Sequence, residues 1–166
     1  MNNQQPPIVR SLIAPLENGY LVLPLNLMAE LVLVEQILQP LAIQGLQGLI
    51  LWRNLQVPLI NISQLCQKKE VEQHNHSLRC IVLRTVSELD DMPFIALRIQ
   101  GIPSPLDVGD HTLIPESDQD QDKDCQFIAS YARVTNLSCM IPDLPALEMA
   151  VYEQLLKEKV LGKKIH

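Results

Sequence analysis

From Ile8 onward the chain is a succession of short apolar runs broken by turn signals. Residues 9–16 and 20–25 read as strands on either side of a turn at Asn18-Gly19, a pair that readily takes the backbone conformation of tight turns. Residues 27–34 fit strand or helix equally, and 36–46 read as a connection with a short helical turn or none. Strands at 48–52 and 55–60 precede a short helix beginning within 63–66. After a polar linker at 67–77, strand signals resume at 78–86, 94–100, 106–108, 127–135 and 137–141. Many short strands at this spacing predict barrels or a sandwich and argue against a parallel sheet wound with helices.

The stretch 48–61, GLILWRNLQVPLIN, sets a sharper expectation. Its polar pair Arg53-Asn54 splits two apolar runs, the pattern of a hairpin with a short turn. A two-residue loop pairs Trp52 with Leu55, Leu51 with Gln56, Ile50 with Val57 and Leu49 with Pro58; a four-residue loop keeps this pairing and a three-residue loop changes it. Side chains alternate across a strand. Gly48, Ile50, Trp52, Leu55, Val57 and Leu59 therefore share one wholly apolar face. Leu49, Leu51, Gln56, Pro58 and Ile60 share the other, which is mostly apolar too. The first face suits an ordinary core. The second needs its own cover, from the rest of the chain or from another protein. Pro58 cannot donate to a ladder, which favours an edge position.

The chain closes with a helix. Asp143 stands as its cap, Pro145 is tolerated in the first turn, and Glu148 suits the positive end of the helix dipole. Leu144, Leu147, Val151 and Leu155 fall on one face at helical spacing, a stripe expected to cap a barrel. Lys157 and Lys159 suit the other end.

Length and charge narrow the function. A chain of 166 residues makes one domain, or two small subdomains sharing a core. Net charge is −6, and Lys and Arg cluster only between Lys157 and Lys164, so a nucleic-acid surface is not expected. The apolar stretch 21–34 contains Asn26, Glu30 and a proline, which makes it marginal as a membrane span. The opening MNNQQPPIVR is not patterned as a secretion signal. The expectation is a cytoplasmic protein whose cysteines, at 66, 80, 125 and 139, remain thiols. Residues 1–7 read as a disordered tail and 157–166 as a charged C-terminal tail.

Residues able to bind metal or act as nucleophiles are few and poorly spaced. Cys66, His74, His76 and Cys80 offer two sulfurs and two nitrogens, but their spacing fits no compact zinc motif. Asp118, Asp120 and Asp122 resemble the start of a calcium loop, yet Lys123 stands where that loop needs Gly and Ala129 where it needs Glu. His111 lies near Asp107 and Asp110, the ordinary setting of a solvated turn. No nucleophile elbow, H-E-x-x-H or phosphate-cradling glycine loop is present. No catalytic, cofactor-binding or metal-binding residue is assigned, and the chain is read as not an enzyme.

Residues 48–63, GLILWRNLQVPLINIS, resemble the signature G-x-I-N-x-R-G-x-x-x-P-x-x-D-L of the CheW family of chemotaxis coupling proteins. Gly48, Ile50, Arg53 and Pro58 match. Leu51 stands for the family Asn, Asn54 for the Gly, Asn61 for the Asp and Ile62 for the Leu. Upstream, Met28-Ala29-Glu30-Leu31 resembles the family's V-x-E-[VI] run. The resemblance extends over residues 8–156, with LRCIVLRT, FIALRIQGIP and the terminal helix in the expected places. It is nearest to the divergent ChpC-type members of chemosensory systems that control type IV pili.

The resemblance implies a mainly β fold of two packed five-stranded SH3-like barrels with a C-terminal helix. It implies a non-catalytic adaptor that couples the regulatory domain of a CheA-type histidine kinase to the cytoplasmic tip of a chemoreceptor, at membrane-associated arrays. The expected partner-binding residues are Glu30, Leu49, Leu51, Arg53, Gln56, Pro58 and Ile60. For Glu30 and Arg53 the other reading is an internal ion pair holding the hairpin. For the apolar residues it is a seam between the two barrels. The lost family Asn and Gly flank Arg53, so kinase binding is expected more firmly than receptor binding, as for an accessory coupler. The alternatives are a β-barrel interaction module of another signalling pathway and a small-ligand or metal-binding barrel.

Overall fold

The computed structural model describes residues 8–43, 45–67, 78–109, 113–115 and 125–158. The polar linker at 68–77 with His74 and His76, the acidic loop with Asp118, Asp120 and Asp122, His111, Asp110, and both predicted tails except Lys157 and Glu158 lie outside them.

Twelve strands and two helices fall among the described residues. The strands are β1 (Val9–Leu16), β2 (Gly19–Pro24), β3 (Met28–Val34), β4 (Gln39–Ile43), β5 (Leu46–Trp52), β6 (Leu55–Ile60), β7 (Leu78–Arg84), β8 (Phe94–Ile99), β9 (Ser104–Val108), β10 (Ile114–Pro115), β11 (Ile128–Val134) and β12 (Leu137–Pro142). The helices are α1 (Ile62–Gln67) and α2 (Leu144–Lys157). A single 3-10 turn, Leu25–Leu27, leads into β3 and settles the ambiguity at 27–34 in favour of a strand.

Two six-stranded sheets result, ordered β10-β11-β12-β2-β1-β9 and β3-β7-β8-β6-β5-β4. The sequence yields nine of these strands outright, and β3 as one of two readings of 27–34. The sixth strand of each sheet is an edge strand with weak local signals. Pro40 disguises β4, which pairs with β5 alone, and a strand at an edge tolerates a missing donor. At two residues, β10 is too short for any period to show.

Both sheets curl. In a flat sheet β3 and β5, four strands apart in order, would be about 19 Å from one another. Yet the Trp52 indole on β5 hydrogen-bonds Glu30 on β3. In the other sheet, Leu113 beside edge strand β10 shares a cluster with Leu106 and Val108 of the opposite edge, β9. The arrangement is mainly β, two curled sheets with a C-terminal helix, consistent with two SH3-like barrels.

Strand alternation then sorts the core. On β5 and β6 the first face, with Ile50, Trp52, Val57 and Leu59, lines the inside of the second barrel together with Val34, Cys80, Val82 and Ala96. The opposite face supplies Leu49 and Ile60 to a larger cluster, which Ile81, Leu83, Ile95 and Leu97 of β7 and β8 also enter. Ala14, Leu16, Leu21 and Leu23 reach that cluster from the first sheet, and Leu144, Leu147, Val151 and Leu155 reach it from α2. The seam is therefore shared by both sheets and the helix. Burial of each such aliphatic side chain stabilises by about 1.5–3 kcal/mol. The α2 stripe shares one buried face as the helical spacing predicts, but it packs into the seam common to both sheets and does not cap a single barrel.

Three expectations need correction. Pro58 is buried and β6 lies inside its sheet between β8 and β5. The proline is accommodated because β8 pairs with β6 only at Leu59 and Ile60. Glu148 does not sit at the exposed start of α2 for the sake of the dipole. It is fully buried, and its carboxylate accepts from Val86 N and Ser87 N at 2.9–3.0 Å. Finally, only Cys80 and Cys139 remain thiols, since Cys66 and Cys125 are joined in a disulfide. Sequence cannot show that α1 and the turn before β11 meet across 59 residues.

Candidate functional site

The β5–β6 hairpin closes as the sequence predicts. Trp52 opposes Leu55, Leu51 opposes Gln56, Ile50 opposes Val57 and Leu49 opposes Pro58. Arg53 and Asn54 form the two-residue turn with φ of 48° and 63°. Two consecutive left-handed residues match the right-handed twist of the flanking strands. Asn is among the few residues that occupy this region at little cost, so Asn54 does the backbone work of the family Gly. Asn61, which stands for the family Asp, caps α1: its Oδ1 accepts from Gln64 N at 3.3 Å.

At the mouth of the second barrel, Trp52 organises three contacts. Its ring packs edge-on against Phe94, with centroids 4.8 Å apart. Its Nε1 donates to Glu30 Oε2 at 2.6 Å. The Arg53 guanidinium lies 4.7 Å from the ring centroid and 3.4 Å from the same carboxylate oxygen. A buried indole N–H needs an acceptor, and Glu30 supplies it from the edge strand. The result is a charged pair displayed on a greasy base. Arg53 and Glu30 side chains are 66% and 44% exposed, so their ion pair is a surface one, worth no more than about 1 kcal/mol.

The hairpin's second face divides. Leu49, Pro58 and Ile60 point into the seam and are buried. Leu51 and Gln56, opposite one another nearer the turn, are exposed. Leu55 at the turn and Leu31 and Leu33 on β3 add further exposed apolar surface. The structure thus gathers Glu30, Leu51, Arg53 and Gln56 at the surface around one barrel mouth and sets Leu49, Pro58 and Ile60 beneath it. The sequence places Trp52 on a core face but does not reveal that its indole holds Glu30; a lone Trp beside the turn Arg was the only signal.

No group of three or more metal-ligating side chains occurs among the described residues. The zinc alternative loses two of its ligands to other roles. Cys66 is bonded to Cys125. Cys80 lies inside the second barrel, where burial pushes its thiol pKa up to about 12. Among the described residues no helix is long and apolar enough to cross a membrane.

Two small curled sheets sharing one seam, with an exposed hairpin tip, define a mainly β domain of two joined barrels. The profile of the CheW-like domain family matches residues 10–150. The chain belongs to that family, the scaffolding and coupling proteins of chemotaxis. The fold is also similar to the crystal structure of the scaffolding protein TtCheW from Thermoanaerobacter tengcongensis, with a TM-score of 0.64 over 84% of this chain and 90% of that one. Sequence identity is 15%, so this likeness speaks for the fold. No curated protein sequence matches the chain significantly.

Proposed function

We propose that the protein is a non-catalytic adaptor that holds the regulatory domain of a CheA-type histidine kinase and the cytoplasmic tip of a chemoreceptor in one complex. The observation that carries this reading is the exposed mouth of the second barrel, where Leu51, Gln56, Arg53 and Glu30 are all accessible. A few apolar anchors ringed by polar groups suit an interface of about 800 Å² per partner. Leu49, Pro58 and Ile60 act from beneath, by fixing the strand that presents Leu51.

The finer reading is an accessory coupler of the ChpC type, serving a chemosensory system that controls type IV pili. Leu51 and Asn54 support it, because they replace the polar Asn and the Gly of the family signature beside Arg53. An apolar Leu51 makes this surface greasier than the family pattern. Affinity capture with the CheA-type kinase of the same cell tests the first claim; recovery of no kinase would defeat it. Deleting the gene and scoring twitching motility tests the second, and unchanged twitching would remove the pilus assignment while leaving kinase coupling standing.

A further inference from the structure

Cys66 and Cys125 belong to different halves of the molecule. Cys66 lies on α1, directly after β6 of the second sheet. Cys125 lies in the turn that enters β11 of the first sheet, where Ile128 N donates back to its carbonyl at 3.1 Å. Their Cα atoms are 5.0 Å apart and their sulfurs are bonded. Both residues are only partly buried, at the rim of the seam cluster. The two remaining cysteines, Cys80 and Cys139, are fully buried within separate barrels.

We propose that this disulfide is a redox-operated clamp across the seam. In the closed state it ties α1 to the entry of β11 and fixes how the two halves meet. Opening is a two-electron reduction by a dithiol of the thioredoxin class. One reductant thiolate attacks one protein sulfur, breaking the protein S–S bond and forming a mixed disulfide, and the second reductant thiolate then displaces the other protein thiol. The products are two protein thiols and the oxidised reductant. A glutathione-type disulfide reverses the change and leaves as two thiols.

Three features favour a reversible clamp over a permanent staple. Both cysteines are only half-buried, at the rim of the seam and not in its centre. The seam beneath them is filled by buried side chains from both sheets, both helices and the β7–β8 loop, so packing survives when the bond opens. Neither Cys80 nor Cys139, buried inside separate barrels, is placed to trap a freed sulfur. The clamp does not depend on the partners proposed above.

The test uses the full chain. Protein isolated in air and alkylated in denaturant should expose two titratable thiols, rising to four after dithiothreitol. Reduction of the folded protein should lower the Tm by about 5–15 °C, as expected for losing a cross-link of this loop length. Amide exchange should quicken in α1 and at the start of β11 while β7 and β8 stay protected. Cys66→Ser and Cys125→Ser should each show the Tm of the reduced protein and no response to dithiothreitol. Because the reduced wild type needs no substitution, a variant that misfolds does not affect the outcome. Four thiols in the air-isolated protein, a Tm indifferent to reductant, a disulfide that folded protein will not yield to dithiothreitol, or global unfolding on reduction would each overturn the clamp.

Discussion

Leu49 and Leu51 sit two residues apart on the same face of β5, yet Leu49 is 2% exposed and Leu51 is 54% exposed. The seam ends between them. Leu49→Asp should therefore unfold the protein, since a carboxylate in an apolar seam has no partner. Leu51→Asp should leave the Tm within about 2 °C of wild type, as surface substitutions usually do, while abolishing kinase capture. Thermal melts paired with capture assays distinguish the two; a Leu51→Asp protein that binds normally would show that the exposed half of the face has no docking role.

The Glu30–Arg53 pair makes a different prediction, because its members are exposed. A double-mutant cycle with Glu30→Gln and Arg53→Ala should give a stability coupling of about 1 kcal/mol or less. Arg53→Ala should nevertheless weaken receptor coupling more than kinase binding. Equal loss of both would show that Arg53 has no special part in receptor contact. Trp52→Ala, by contrast, removes a buried ring and an anchor for Glu30, and should cost about 3–5 kcal/mol in urea unfolding.

Gly45 has a positive φ of 79°, and a Cβ there would collide with the Leu65 side chain on α1. Gly45→Ala should cost about 2–4 kcal/mol from backbone strain and overpacking together. Part of that loss is steric, so adding Leu65→Ala should cost less than the sum of the two single changes. Strict additivity in chemical denaturation would mean that α1 shifts freely and that the collision is irrelevant.

These sites show what kind of information a sequence carries. The hairpin pairing, its two-residue turn, the α2 stripe and the barrel class were legible because each follows from spacing within one or two elements. β4 and β10 were hidden by Pro40 and by brevity. Glu30 was singled out in the sequence only through the family resemblance, whereas its hold on Trp52 depends on sheet curvature, which joins strands that are not neighbours. Cys66 and Cys125 meet for the same reason, through a seam that no local pattern encodes. Glu148 reads like any helix-start acid because its partners, Val86 and Ser87, lie more than sixty residues away in the chain.

Cys80 gives the fold a pH dependence with a definite sign. Its thiol titrates near 9 when exposed and is pushed up to about 12 by burial. Below pH 9 both folded and unfolded states keep the proton, so its contribution is fully present. Between pH 9 and 12 only the unfolded state releases it, and stability falls by about 1.4 kcal/mol per pH unit from this group. Lysines and tyrosines titrate in the same window, so the informative quantity is a difference. Cys80→Ala should flatten the decline relative to wild type in unfolding curves taken from pH 8.5 to 11. Parallel curves would mean that the thiol ionises inside the barrel without cost.

Glu148 is the sharpest stability test, because a fully buried carboxylate is normally a liability. Here both of its oxygens are committed, accepting from Val86 N and Ser87 N in the loop after β7. Glu148→Ala would leave those two amides without an acceptor beside the seam, at about 1–3 kcal/mol each. Urea unfolding should show a loss of about 2–5 kcal/mol, with amide exchange at Val86 and Ser87 accelerated ahead of the neighbouring strands β7 and β8. Glu148→Gln keeps the size and one acceptor oxygen but turns an NH2 group toward the same donors, so it should lie between wild type and Ala. If Glu148→Gln matched wild type, one oxygen would suffice for both amides and the charge would contribute nothing; if it were worse than Ala, donor–donor repulsion would outweigh packing.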